Sequence, residues 1–378
     1  MRVAVYIDQA FWRSADGVYA ARSFVLFLGK LAENFDELTV AARLSPTSSS
    51  SHYRLPAPAR FASLPHYGSA SHPLHVARAM RESTARFAEL LERVDVVWLL
   101  GPHPFALLFA RMARRRGKRV VLGVRQDLPR YVGNRHPHRP DLRLVATGLD
   151  LAFRRLAQRH PTIVVGPDLA KRYKGARQPL EIYVSLVPAA DVLPIADSTA
   201  KDYSGRIQVL SVGRIDAEKN PLMLADVLER LDARFEFVIC GDGPLKGELK
   251  EKLDARGLSA RARLPGHVPM GAELLRLYRE SHLFLHVSWT EGMPQVLLES
   301  FAAALPVAAT AVGGVPDAVG EAAVLIPPGD PNSAADAIQR ITASSDLRDR
   351  LLADGHAIAI DHTLEAEAGR VADFLRSA

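Results

Sequence analysis

Glu291 and Glu299 bracket the segment Ser288-Trp289-Thr290-Glu291-Gly292-Met293-Pro294-Gln295-Val296-Leu297-Leu298-Glu299. It follows the apolar run Leu283-Phe284-Leu285-His286-Val287, which reads as a buried strand, and it runs into a helical pattern over residues 296–304. One carboxylate would then sit on the loop at a strand's C-terminal end and the other in the helix that follows. Open α/β sheets bind ligands at that edge. Carboxylates there accept hydrogen bonds from hydroxyls, the chemistry of a sugar or ribose. The alternative is a capping loop followed by an exposed helix glutamate.

A second segment is Ser211-Val212-Gly213-Arg214-Ile215-Asp216-Ala217-Glu218-Lys219-Asn220-Pro221. A glycine and two cations lie between a strand and a helix opened by Pro221, a good first-turn residue. Arg214 offers a fork of donors and Lys219 a compact point charge, so the pair suits a phosphate. Surface ion pairing with Asp216 and Glu218 is the competing reading. Both segments fall on one edge of one predicted sheet, which supplies cations for a diphosphate and carboxylates for hydroxyls. Those are the parts needed to hold a nucleotide sugar.

The elements that position these groups alternate between strand and helix, as βαβ units demand. Strands are predicted over residues 3–7, 37–41, 94–100, 119–124 and 162–165, then 207–212, 235–240, 283–287, 306–311 and 323–326. Helices are predicted over 20–33, 76–93, 105–116, 221–231, 245–256, 272–281, 296–304, a short turn near 316–319, and from 333 to the end. Residues 44–73 and 132–140 read as long surface loops, the second a candidate acceptor loop. His136 and His138 have the spacing of a metal pair but no third ligand.

A chain of 378 residues is too long for one ordinary core, so two α/β domains are expected. The single cysteine, Cys240, excludes an internal disulfide and fits a reducing compartment. The N-terminus lacks signal-peptide features, and no apolar run approaches the roughly 20 residues that span a bilayer. A cytoplasmic protein is expected, with a place at the inner membrane surface as the second reading. Residues 1–187 carry 29 Lys and Arg against 14 Asp and Glu, a net of +15, whereas the remainder has a net of −9. The densest cluster runs from Arg111 to Arg119 at a helix end, where cations complement the dipole. Peripheral contact of a basic face with anionic lipid is the sharper reading. Nucleic acid is not expected, since no aromatic-interleaved basic stripe is present.

Cys240-Gly241-Asp242-Gly243-Pro244-Leu245-Lys246-Gly247 imitates a dinucleotide fingerprint. Its third glycine comes one residue late, and no acidic ribose partner stands at the right distance. Tight-turn glycines are the better reading, and a nicotinamide cofactor is not expected.

Taken in order, Gly213-Arg214 with Lys219-Asn220, Gly241-Asp242-Gly243-Pro244, Pro265-Gly266-His267-Val268, the Glu291-x7-Glu299 segment and Ala309-Thr310-Ala311-Val312-Gly313-Gly314-Val315-Pro316-Asp317 resemble the C-terminal domain of the retaining glycosyltransferases of family 4. The resemblance spans about residues 207–330. It implies the GT-B architecture of two Rossmann-like α/β domains facing across a cleft, with a C-terminal helix packed back on the first. The implied organisation is 1–187 for an acceptor-binding domain, 188–205 a linker, 206–362 a nucleotide-sugar domain and 363–378 the terminal helix.

The resemblance also implies roles. Arg214 and Lys219 would stabilise charge on the leaving diphosphate, Glu291 would bind hydroxyls of the donor hexose, and Glu299 the ribose. Gly213 and the backbone around Gly292, Met293 and Pro294 would contact sugar or phosphates, although Pro294 has no N–H to give. Val268 would line the base pocket. No metal and no cofactor are implied; the substrate would be a nucleoside diphosphate sugar, with UDP or GDP the expected nucleotide. The acceptor is an unidentified saccharide, lipid-linked or small-molecule hydroxyl.

The N-terminal half departs from the family pattern. Gly17 is the only glycine where a pair is usual, His103 is displaced by a few residues from its usual place, and Gln126-Asp127 stands for the frequent His-Asp. Gly17, His103 and Asp127 are therefore weak carry-overs. The expected activity is retaining transfer of a hexose-type sugar. A nucleotide-sugar epimerase of related fold and a non-catalytic nucleotide-sugar-binding protein are the alternatives.

Overall fold

A computed structural model of the chain describes residues 1–47, 53–67, 73–136, 138–199 and 201–378. The chain divides into two compact units, Met1–Val184 with Leu364–Ala378, and Ser185–Thr363.

The first unit contains β1 (Arg2–Ser14), β2 (Gly17–Ala20), α1 (Phe24–Ala32), β3 (Glu37–Leu44), β4 (Tyr53–Arg54), β5 (Arg60–Leu64), α2 (Pro73–Leu91), β6 (Val96–Gly101) and α3 (Pro104–Arg115). There follow β7 (Arg119–Val124), α4 (Leu128–Arg135), α5 (Pro140–Ala157), β8 (Pro161–Val165), α6 (Pro167–Arg172) and β9 (Arg177–Ile182). Its parallel strands run β5-β3-β1-β6-β7-β8-β9, and the short β2 and β4 add antiparallel pairing along the far end of β1. Val3, Val5, Val96, Val97, Leu99, Val121 and Leu122 are fully buried, as expected of strands covered on both faces.

The second unit begins with α7 (Ile195–Thr199), β10 (Ile207–Val212), α8 (Met223–Glu229), β11 (Phe235–Cys240), α9 (Lys246–Ala255), β12 (Ala262–Gly266), α10 (Ala272–Glu280) and β13 (Leu283–His286). It continues with α11 (Gln295–Ala302), β14 (Val307–Thr310), α12 (Val315–Val319), β15 (Ala323–Ile326), α13 (Pro331–Ala343) and α14 (Ser345–Asp361). All its strand pairs are parallel, in the order β12-β11-β10-β13-β14-β15. The chain builds outward one way from β10 and then returns to build the other way from β13. A crevice must therefore open between the C-terminal ends of β10 and β13.

The last helix, α15 (Leu364–Ser377), belongs to the first unit, against α1 and β9. The Lys30 ammonium lies 3.5 Å from Glu365, and the Arg376 guanidinium donates to the Asn34 carbonyl at 2.7 Å.

Several expectations need correction. Within 44–73, the described residues include β4 and β5; residues 48–52 and 68–72 lie outside the described residues. The expected loop at 132–140 is mostly helix: α4 ends at Arg135 and α5 starts at Pro140, whose fixed φ suits a first turn. His136 and His138 flank that junction and are both exposed; Pro137 lies outside the described residues. The strands β9 and β12 were not anticipated, because Pro179 and Pro265 interrupt their patterns. In the segment expected as a linker, Leu193 N–H donates to the Ala302 carbonyl at 2.8 Å, and the Tyr203 hydroxyl to the His282 carbonyl at 2.8 Å.

Candidate functional site

At the β10–β13 crevice an open cavity of about 200 Å³ is lined by the ends of three adjacent strands. Ser211 and Gly213 come from β10 and its loop, Cys240 from β11, and His286 and Ser288 from β13 and its loop. Arg214, Lys219 and the start of α11 at Pro294 and Gln295 complete the rim. Of the candidate residues, Gly213, Arg214, Lys219 and Pro294 are thus brought to one place.

Glu291 stands directly behind this lining. Its carboxylate pairs with the Lys219 ammonium, accepts from Ser288 Oγ at 2.6 Å and contacts His286 Nε2 at 3.0 Å. The Ser288 hydroxyl also lies 3.1 Å from His286 Nε2. The Ser288 carbonyl accepts from the Thr310 hydroxyl at 2.8 Å, which ties the loop to β14. The Glu291 side chain is only 9% exposed. Burial pushes its carboxyl up, but the Lys219 ammonium and the His286 imidazole outweigh that and hold it far below the usual carboxylate range. Glu291 is a fixed anion at neutral pH.

Glu299 behaves oppositely. It lies one turn into α11, is 5% exposed, and takes a 2.7 Å hydrogen bond from the Tyr278 hydroxyl. Burial raises its carboxyl to about 7, with the Tyr278 bond pulling the other way. The two glutamates therefore do not line the cavity together. One supports its rim; the other is a buried carboxyl against a tyrosine. Gly292 is exposed and Met293 half-buried on the loop after Glu291, and Val268 is buried after β12, so none of the three lines the cavity.

Arg214 lies on the rim of the cavity. Its guanidinium pairs with Asp216 and lies 2.7 Å from Glu218, the surface pairing weighed against phosphate binding. Trp289 N–H donates to the Glu218 carbonyl at 2.9 Å, so the two site loops are tied to each other.

The glycine run beside the cavity has a packing cause. A Cβ at Gly241 would overlap the Gly213 carbonyl oxygen, and one at Gly243 the Ile215 backbone. Gly213 N–H donates to Cys240 O at 3.0 Å, Ile215 N–H to Asp242 O at 2.9 Å, and Leu245 N–H to Ile215 O at 3.0 Å. Two loops thus lie backbone against backbone, which only glycine permits.

The first unit's candidates are bound up in structure. Gly17 opens β2 of a β-hairpin, not a turn into a helix, because β1 runs on to Ser14. Asp127 caps α4, accepting from Arg130 N–H at 3.1 Å, and faces Arg172 at 3.3 Å. His103 caps α3 through Nδ1, which accepts from Phe105 N–H at 3.3 Å and meets the Tyr6 hydroxyl at 2.9 Å. Its Nε2 lies 3.2 Å from Asp8 and 3.3 Å from the Tyr67 hydroxyl. Burial, aided by Arg43 and opposed by Asp8, lowers the imidazole's pKa, keeping it neutral.

Sequence reasoning missed His286 and Ser288. The available signal was their period-two spacing: a histidine and a serine at alternate positions leaving an apolar strand share one face.

Residues 197–356 match the family model of the glycosyl transferases group 1. Over 163 residues the chain is 29% identical to the 2-deoxystreptamine N-acetyl-D-glucosaminyltransferase of Niallia circulans, covering 42% of each. Over 175 residues it is 30% identical to the alpha-D-kanosaminyltransferase of Streptomyces kanamyceticus, covering 44% of this chain and 45% of the relative. The chain thus spans less than half the length of these relatives. In structure, it matches Anabaena HepE with a TM-score of 0.71 at 18% identity over all of both chains. It matches the sucrose-phosphate synthase of Thermosynechococcus elongatus with a TM-score of 0.75 at 19% identity, over all of this chain and 98% of that one. The fold is GT-B, and the likeness to the group 1 glycosyl transferases lies in residues 197–356, within the second unit.

Proposed function

We propose that the cavity at the β10–β13 crevice binds a nucleoside diphosphate sugar and that the chain transfers its hexose-type sugar, with retention, to an acceptor hydroxyl. The observation that carries this reading is the Lys219–Glu291 pair, braced by His286 and Ser288 beside an open cavity. Lys219 and Arg214 supply charge for a diphosphate, while Glu291, already ionised, accepts hydrogen bonds from sugar hydroxyls. Fixed charges set in a partly buried site stabilise a leaving diphosphate without reorganising at the moment of reaction. The leaving diphosphate takes the acceptor proton on the same face, so no protein nucleophile and no metal is assigned. Anabaena HepE has been captured with UDP and with UDP-glucose, which supports UDP as the first nucleotide to try.

Glu299 fits ribose recognition only if Tyr278 yields part of its hydrogen bond on donor binding. In the proposed reaction Glu299 and Val268 serve the nucleoside, and Gly292, Met293 and Pro294 the sugar and its phosphates. The basic first unit would meet the acceptor.

A thermal-shift panel of UDP, GDP, ADP and TDP sugars tests the reading, because a ligand that binds the folded state raises stability by mass action. One or two nucleotides should shift the transition clearly, and Lys219→Ala should abolish the shift. No shift with any of them would reject the donor assignment. Release of an epimerised sugar nucleotide without acceptor would favour the epimerase reading.

A further inference from the structure

Among the described residues, the helix α5 presents an apolar face that is left exposed. Its inward side is settled: Ala146, Asp150, Phe153 and Ala157 are buried, and Asp150 is bound by Arg172 at 2.7 Å and by the Tyr173 hydroxyl at 3.0 Å. On the opposite side Leu144 is 74% exposed, Val145 67% and Leu151 43%. These are three of the six large hydrophobic residues exposed among the described residues, gathered on one helix. Leu144, Gly148 and Leu151 follow the i, i+4, i+7 spacing of a single helical stripe, where a solvent-facing helix normally places polar groups.

The charges around that stripe are mostly basic. Arg143, Arg154 and Arg155 are exposed on α5 itself. Asp141, the acid on the exposed side of α5, is engaged by Arg139 at 2.7 Å. Long arginine stems can cover apolar surface while their heads reach outward to phosphates. An apolar stripe flanked by cations is the pattern of a helix that lies in a membrane interface.

We propose that the exposed face of α5 docks on an anionic lipid bilayer, with Leu144, Val145 and Leu151 entering the interface and the flanking arginines meeting lipid phosphates. This surface lies outside the donor cavity and needs no nucleotide.

The test is co-sedimentation of the full chain with phosphatidylcholine vesicles containing roughly one-third phosphatidylglycerol. The wild type should bind these vesicles, bind pure phosphatidylcholine at least tenfold more weakly, and lose binding as salt rises. Leu144→Asp with Leu151→Asp should weaken binding at least tenfold while the thermal transition and the response to UDP stay unchanged. Arg154→Gln with Arg155→Gln should weaken binding less and flatten its salt dependence. Absence of wild-type binding, or full binding by the Leu144→Asp/Leu151→Asp variant, would overturn the proposal. So would a wild-type dimer that the same variant turns into a monomer, since a second copy would then cover the face.

Discussion

Asp8 in the first unit and Glu291 in the second have equivalent addresses. Each lies where the strand order of its sheet reverses, beside the β1–β6 junction in one case and the β10–β13 junction in the other. Each carboxylate has a cation, a histidine and a hydroxyl: Asp8 has Arg43 at 2.9 Å, His103 at 3.2 Å and Tyr67 at 2.6 Å, and Glu291 has Lys219, His286 and Ser288. The difference lies in what remains available. Around Asp8 the partners close on one another: Tyr6 and Phe105 N–H occupy the other face of His103, and Arg43 also donates to the Tyr67 carbonyl at 2.8 Å while stacking on its ring. Around Glu291, three partners form the wall of an open cavity. Like chemistry at like positions thus gives a brace in one unit and a candidate binding site in the other.

The comparison is broken most directly at Glu291 and Lys219. Glu291→Ala should lower turnover about 100-fold or more, the scale of losing a preorganised electrostatic contact, and circular dichroism should show the fold retained. In contrast, Asp8→Asn should cost about 1–3 kcal/mol of stability, through an imperfectly satisfied half-buried network, while nucleotide affinity stays within a few-fold of wild type. Equal loss of nucleotide affinity in Asp8→Asn would erase the distinction between the two clusters.

Glu299 gives a pH-dependent effect. Its carboxyl is raised in the folded protein, so its neutral form stabilises fully below the ordinary glutamate value, and that contribution is lost as pH rises through about 7. Denaturation between pH 5 and 8 should show a loss of roughly 2–3 kcal/mol that Glu299→Gln removes. A variant with the same pH slope as wild type would place Glu299 in a wetter setting. Ser288→Ala is the smallest expected change: about 1 kcal/mol in nucleotide affinity, since Lys219 and His286 still hold Glu291.

Much of the second unit was legible in its sequence. Ile207–Val212, Phe235–Cys240 and Ala323–Ile326 are apolar runs bounded by turn residues, and they form strands with those bounds. β12 was hidden because it alternates half-buried and exposed residues and contains Pro265. In the first unit, α4 and α5 were hidden by prolines that open helices as readily as they mark loops. Lys219 and Glu291 were legible as chemistry, but their direct pairing, 72 residues apart in the chain, was not. Spacing placed Glu291 and Glu299 near one crevice; it could not show that packing against Tyr278 turns one of them inward.

The central claim is that the cavity beside Lys219 and Glu291 is the nucleotide site, and calorimetric titration with UDP and GDP tests it most directly. The account predicts that at least one of them binds the wild type and binds Lys219→Ala at least tenfold more weakly, with Asp8→Asn unaffected. Absence of binding to the wild type, or equal affinity in wild type and Lys219→Ala, would contradict it.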